Sequence, residues 1–184
     1  MADFVALLRG VNVGGKVAKM EAVRASFEAL GLDQVRTYVQ SGNVLFAAKA
    51  GTPAALARRI AAQLEKDIGF RIAVLVLSAR DLARVVAGNP FLKQKGIDPK
   101  KLHVTFLDAA PPAAGLKKMA AVASGDDRFV ARGTTIYLHC PDGYGRSKLV
   151  NNAFERALKV GATTRNWNTV TTLASMLAAP SAGA

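Results

Sequence analysis

The chain has 184 residues, of which 51% are hydrophobic and 21% are charged, so it can form a packed core and is not a disordered protein. Its apolar runs, such as residues 72–77, are far shorter than the roughly 20 residues of a membrane-spanning helix, and no secretion signal opens the sequence. We therefore predict a soluble, cytoplasmic protein with no membrane partner. One cysteine excludes an internal disulfide, and two histidines are too few for an ordinary zinc site, so no metal site is predicted.

The chain is strongly basic, which favours an anionic partner. Lysine and arginine number 25 against 13 aspartate and glutamate, a net charge of +12 and a pI near 10.3. The cations are scattered, with the densest run between Lys93 and Lys101. Scattered surface charge is also typical of a solvated face, so a nucleic acid is a less favoured partner than a small anion.

The first 77 residues predict the element order βαββαβ. Apolar spacing, the Thr52-Pro53 helix start and the Gly31 and Gly69 helix ends set the boundaries. The Ser41-Gly42 pair predicts a hairpin turn between two strands. The predicted strands cover residues 3–9, 35–40, 43–47 and 71–77, and the predicted helices begin near residues 20 and 53.

The same order recurs after a short helix and a basic segment. Ser78 with Asp81 predicts a helix start, and residues 88–90 end it. Strands are predicted at residues 102–107, 128–131, 135–139 and 162–165, and helices at 113–122, 147–159 and 169–177. We therefore predict an α+β protein of two ferredoxin-like (βαββαβ) halves in tandem with a C-terminal helix. Residues 1–77 and 102–179 form the halves, 78–101 the helix and basic linker, and 180–184 a disordered tail.

Two loop clusters carry the residue types that bind anions. In a βαββαβ unit the first two strands run in the same direction, so the loop after the first strand and the hairpin after the second meet at one sheet end. The third and fourth strands also share a direction, which gathers the loop at 141–148 and the exit at 165–167 in the second half. The first cluster comprises Arg9, Asn12, Gly14, Gly15, Lys16, Ser41 and Asn43, and the second comprises Tyr144, Arg146, Lys148, Asn151, Arg165, Asn166 and Trp167.

The first cluster resembles a phosphate-binding loop only in part. Residues 10–16 satisfy the spacing G-x-x-x-x-G-K, which would bring backbone N–H groups and a lysine to a phosphate. Val17 stands where a nucleoside triphosphatase needs serine or threonine for Mg²⁺. A simpler anion cradle remains one interpretation, and glycines that only turn the chain remain the other.

The second cluster combines cations, amides and an aromatic ring, which suit a planar anion such as a nucleotide. The alternative is structural: Ser147 or Asn166 caps a helix, and Trp167 fills a seam. The sequence thus favours binding of a small phosphorylated or nucleotide-like anion, the alternative being a nucleic-acid-binding or protein-interaction module.

Covalent and acid–base catalysis find little support. His139 and Cys140 are adjacent in a strand and so point to opposite faces, and His103 is expected to face solvent. Asp142 is either a general base or a turn residue. An RNA-recognition module shares the βαββαβ order and stacks bases on aromatic side chains of its first and third strands. In this chain the first strand offers only Phe4 and the third only Phe46. The sequence therefore assigns neither a reaction nor a cofactor.

Several motifs in one order resemble a bacterial family known as domain of unknown function 1697. They are residues 6–15 (ALLRGVNVGG), 38–44 (YVQSGNV), 145–149 (GRSKL), 152–154 (NAF) and 165–169 (RNWNT). The resemblance spans nearly the whole chain and implies a pair of α/β plait-like halves. It implies no reaction.

Overall fold

The chain forms two compact units in a computed structural model that describes residues 1–11, 14–39 and 42–179. The first unit comprises Met1–Ala83 with the C-terminal segment from Leu173, and the second comprises Arg84–Thr172. The predicted tail at 180–184 lies outside the described residues. Each unit holds one four-stranded sheet in which every neighbouring pair is antiparallel.

The elements up to residue 78, all in the first unit, are four strands and two helices in the predicted order. The sheet of this unit has the strand order β2-β3-β1-β4. Thr52 accepts a hydrogen bond from Ala55 N–H at the start of α2, and Gly69 ends that helix with a φ of +86°. The elements are β1 (Ala2–Arg9), α1 (Met20–Ala29), β2 (Asp33–Tyr38), β3 (Asn43–Ala48), α2 (Pro53–Ile68) and β4 (Ala73–Ser78).

The core of the first unit lies between its sheet and the two helices. Phe4 of β1 stacks on Phe46 of β3 at 5.6 Å, and Phe27 of α1 meets Phe46 edge to face at 5.4 Å. Ile60 and Leu64 of α2 are fully buried against them. This packing identifies the alternate β1 residues Phe4, Ala6 and Leu8 as the helix-facing set.

The second unit repeats the plan with the strand order β6-β7-β5-β8. Helix α3 (Ala79–Ala87) crosses the division between the units. The further elements are β5 (Leu102–Leu107), α4 (Ala113–Val122), β6 (Arg128–Arg132), β7 (Thr135–His139), α5 (Asn151–Leu158), β8 (Ala162–Asn166) and α6 (Trp167–Ala178), with 3₁₀ turns at Pro90–Lys93, Pro99–Lys101 and Tyr144–Arg146. Two ferredoxin-like halves and a C-terminal helix, six α-helices among the described residues, confirm the predicted fold class.

Two of the differences from the predicted boundaries bear on the candidate sites. Helix α5 begins at Asn151 rather than at residue 147, because the Ser147 hydroxyl accepts a hydrogen bond from Leu149 N–H at 2.9 Å and closes a turn. The segment 78–101, predicted to be a helix with a basic linker, contains α3 and then two 3₁₀ turns. The boundary between the two units falls inside α3, so residues 84–101 belong to the second unit.

Candidate functional site

The sheet of the first unit brings the glycine-rich loop and the hairpin together. Strands β1 and β2 share a direction because both run antiparallel to β3. Leu8 N–H donates to Gly42 O at 2.7 Å, and Arg9 pairs with Ala73 at the start of β4. The hairpin therefore lies at the sheet end that β1 leaves, as the sequence predicts. Asn12 and Ser41 lie outside the described residues.

The described part of the loop is open to solvent. Gly14 and Gly15 have φ values of +62° and +81°, and a Cβ atom added to either would meet nothing within 4 Å. Lys16 is exposed, and its Nζ lies 5.7 Å from the centroid of the Phe70 ring. The ammonium group is thus held near the segment that leads into β4.

Cations outnumber carboxylates at this sheet end. We define the glycine-loop end as residues 9–19, 38–43 and 69–73, the segments that flank β1, the hairpin and β4. Their sequence contains four cations, Arg9, Lys16, Lys19 and Arg71, and no aspartate or glutamate. Lys19 precedes α1, which starts without a side-chain hydrogen bond at its N-cap. Glu21 in the first turn of α1 offsets the dipole of that helix and the charge of one cation, so the four cations leave the local potential net positive.

The first cluster does not all share one sheet face. Because Leu8 faces the helices, Arg9 at the next position projects to the opposite face. Asn43 is fully buried, and its Nδ2 donates to Tyr38 O at 3.1 Å, which closes the hairpin. Gly14, Gly15 and Lys16 are thus the described members exposed at the loop itself.

The second cluster also lies at one sheet end. Strands β7 and β8 both run antiparallel to β5, so the chain leaves both strands at the end where β5 begins. His103 of β5 pairs with Asn166 of β8 and with Leu138 of β7. The predicted proximity of residues 141–148 to 165–167 follows from this register.

The sheet separates Arg165 from its predicted neighbours. Paired residues of an antiparallel sheet share a face, so His103 and Asn166 lie on the face of the core residue Leu138. Arg165 pairs with Val104 and lies on the opposite face. Burial lowers the pKa of Arg165 to about 10, and its Nη1 donates to Thr164 O at 3.0 Å.

Several partly buried polar side chains lie next to the loop at 144–148. Tyr144 stacks on His103 with a ring separation of 4.7 Å. Thr164 Oγ1 donates to Asn151 Oδ1 at 2.7 Å and lies 2.7 Å from Thr105 Oγ1. His103 is therefore half-buried instead of facing solvent as expected; the sequence signal was its place in the central strand. Arg146 and Lys148 of the cluster are exposed.

Asn166 and Trp167 have structural contacts. Asn166 Oδ1 accepts a hydrogen bond from Thr169 N–H at 2.7 Å and so caps α6. Trp167 is only 6% exposed. The helix cap at Asn166 and the burial of Trp167 agree with the structural interpretation of the two residues.

His139 and Cys140 have different surroundings. Cys140 belongs to the apolar core, and burial raises the pKa of its thiol. His139 lies beside Phe91, with ring centroids 5.8 Å apart, and Arg128 Nη2 lies 3.3 Å from its Nδ1. Among the described residues, no three side chains of histidine, cysteine, aspartate or glutamate are grouped to hold a metal, and no helix has the length and apolarity to span a membrane.

The histidines predict loss of stability in mild acid. Burial and Arg128 lower the pKa of His139, against the opposing effect of Asp127 and Asp126, and burial lowers that of His103 against the Lys101 carbonyl. Protons then bind the unfolded chain more readily than the folded one, so the histidines' contribution to stability is present above pH 6.5 and is lost as pH falls below it.

Urea unfolding between about pH 8 and pH 5 measures this effect, in a range above the titration of ordinary carboxylates. We expect the urea concentration at the unfolding midpoint to decrease once the pH is lower than about 6.5. His139→Gln keeps a hydrogen-bonding side chain without the titration and is expected to show a shallower fall. An unchanged pH profile in His139→Gln and in His103→Gln would contradict the assignment.

Comparisons with known proteins agree with the fold and assign no activity. A conserved bacterial protein from Streptococcus pneumoniae has a similar structure, with a TM-score of 0.74 and 20% sequence identity, covering 96% of this chain and 98% of that chain. No curated protein matches the chain. The profile of the family described as protein of unknown function DUF1697 matches residues 1–137. The chain therefore belongs to the DUF1697 family.

Proposed function

We propose that the protein binds a small phosphorylated or nucleotide-like anion at the glycine-loop end of the first sheet. One observation carries the proposal: four cations and no carboxylate occupy the segments that the topology gathers there. Like charges at one sheet end repel each other, and an anion relieves that repulsion. The open backbone at Gly14 and Gly15 leaves room for a phosphate to approach.

The second unit offers an internal comparison. Its corresponding sheet end is where β5 ends and β8 begins. There Asp108 follows β5, and its Oδ1 accepts a hydrogen bond from Gly161 N–H at 2.8 Å. The chain itself supplies an anion to that backbone donor. The sequence of the glycine-loop end contains no aspartate or glutamate that could do the same, which supports an external anion as its partner.

Lys16 is the side chain best placed to contact the anion. It follows the two glycines directly, is exposed, and is held beside Phe70. With Val17 in place of a hydroxyl residue, the loop supports anion binding rather than Mg²⁺-dependent phosphoryl transfer. The proposal therefore concerns binding and assigns no reaction.

Calorimetric titration with inorganic phosphate, a sugar phosphate and adenosine monophosphate tests the proposal. The double variant Lys16→Gln with Lys19→Gln is expected to weaken the binding of whichever probe binds by about tenfold or more, or about 1.4 kcal/mol. Lys49→Gln with Arg58→Gln removes the same charge from exposed positions outside the glycine-loop end and should leave the affinity unchanged.

Two results would refute the proposal. One is the absence of binding by all three probes at millimolar concentration, and the other is an equal loss of affinity in the two double variants. The salt dependence of the affinity separates this function from nucleic-acid binding. Binding of a single phosphate gives a shallow dependence of log affinity on log salt, whereas binding of a nucleic acid gives a steep one.

A further inference from the structure

The second unit carries a separate basic surface at the end of its sheet. We define the lysine surface as residues 93–101 with residues 144–148. These segments hold six cations, Lys93, Lys95, Lys100, Lys101, Arg146 and Lys148. Asp98 is their only carboxylate, and Asp142 precedes the second segment.

The topology makes the two segments neighbours. Lys101 leads directly into β5, and the loop that contains Arg146 leaves β7 at the same sheet end. Cys140 N–H donates to Lys101 O at 3.0 Å, which ties the end of the first segment to the start of the loop that leads into the second. Every cation of the set except Lys101, which is half-buried, is exposed.

Capped turns order the lysine-rich segment. Asn89 Oδ1 accepts from Phe91 N–H at 3.1 Å, and Asp98 Oδ1 accepts from Lys100 N–H at 2.9 Å. Each bond caps one of the two 3₁₀ turns. The Asp98 carboxylate keeps its negative charge in this contact, so six cations and one carboxylate leave the lysine surface with a net charge of +5.

Arg128 attaches the same segment to the edge of the sheet. Its guanidinium lies 5.5 Å from the Phe91 ring centroid, and its Nη1 donates to Gln94 Oε1 at 3.1 Å. Phe91 is 2% exposed. The lysines therefore project from an anchored backbone, which reduces the conformational entropy lost when a partner binds. Asp126 and Asp127, which precede β6, bound the surface on that side.

We infer that the lysine surface binds nucleic acid through its phosphate backbone. Lysine ammonium groups are point charges that contact phosphates without reading bases, so the binding is independent of sequence. Several cations on an anchored surface match a chain of regularly spaced phosphates better than one small anion. This interaction is distinct from the proposed function, because it uses a different unit and different residues.

Fluorescence anisotropy with a labelled single-stranded oligonucleotide of about 20 nucleotides, and with its duplex, tests the inference. The variant Lys93→Gln, Lys95→Gln, Lys100→Gln is expected to weaken binding by at least tenfold. For the single strand, the slope of log affinity against log salt should fall in magnitude by about 2, since each neutralised phosphate contributes about 0.7. None of these side chains is in the core, so the melting temperature is expected to remain unchanged.

Matched controls separate a local surface from net charge. Lys49→Gln, Arg58→Gln, Lys118→Gln removes the same charge at exposed positions elsewhere and should keep most of the affinity. Lys16→Gln with Lys19→Gln should also keep it, so the two proposals fail independently. No binding by the wild type, equal losses in both triple variants, or competition by polyglutamate as effective as by unlabelled oligonucleotide would overturn the inference.

Discussion

Replacing Gly115 by alanine is expected to lower the free energy of unfolding of the second unit by about 1–3 kcal/mol. Gly115 lies in α4 where it contacts α5. A Cβ atom there would lie 2.5 Å from Ala157 O and 2.9 Å from Leu158 Cδ2. The first contact is with backbone, so no side-chain rotation relieves it, and the helices must move apart.

The sign of this effect is informative. In an exposed helix position, alanine is favoured over glycine by about 1 kcal/mol, so a loose contact between α4 and α5 would make the variant more stable. A loss of stability therefore reports the close approach of the two helices. Gly115→Val should destabilise the unit further, because its larger side chain meets the same backbone.

Trp167 provides the measurement. It is the single tryptophan of the chain, is buried, and belongs to the second unit, so its fluorescence in urea follows the unfolding of that unit. Gly145→Ala is the control, because a Cβ atom at that position meets nothing within 4 Å. Equal stability of Gly115→Ala and the wild type would show that α4 and α5 are separated more widely than described.

The order of the elements could be predicted from local signals. Thr52-Pro53 and Gly69 delimit α2 as expected, because the first pair caps the helix and the glycine adopts a left-handed conformation. The sequence predicts a start of β2 at Val35, two residues after its start at Asp33 in the structure. Gln34 has a φ of +51°, and the pairing of β2 with β3 shifts between Asp33 and Arg36, so regular alternation begins only after this irregularity.

The sheet ends of the candidate sites could also be predicted, since they follow from strand direction. Strand direction alone does not say which sheet face a side chain occupies. Side chains alternate between the two faces along a strand, so Arg165 and Asn166 of β8 lie on opposite faces. For the same reason Arg9 and Leu8 of β1 lie on opposite faces. Connectivity therefore brings backbones to one end, whereas alternation decides which side chains share a surface there.

Contacts between distant segments had no sequence signal. Phe70 beneath the Lys16 ammonium and Arg128 over Phe91 each join residues far apart in the chain. Apolar periodicity describes single elements, and these pairs depend on how loops pack against a sheet end. The sequence of the lysine-rich segment accordingly predicts a linker, whereas in the structure its turns are capped and its aromatic residue is buried.

Gly42→Ala is expected to destabilise the first unit by about 2–4 kcal/mol. Gly42 has a φ of +80°, which costs an alanine about 1–2 kcal/mol. An added Cβ atom would also lie 2.9 Å from Leu8 Cβ and 3.0 Å from Leu8 O, atoms of the central strand that cannot move without opening the core. The backbone strain and the steric clash both occur where Leu8 N–H donates to Gly42 O, so we expect both to weaken that hydrogen bond.

Gly10→Ala separates the two costs, because Gly10 has a φ of +81° but a Cβ atom there meets nothing within 4 Å. Amide hydrogen exchange at Leu8 measures the result, since that N–H is protected by the bond to the hairpin. We expect Gly42→Ala to reduce the protection of Leu8 well beyond the reduction in Gly10→Ala. Equal protection in the two variants would mean that the hairpin does not approach β1 as closely as described. Because Gly42 is part of the glycine-loop end, Gly42→Ala should also weaken the anion binding proposed there, whereas oligonucleotide binding to the second unit should persist.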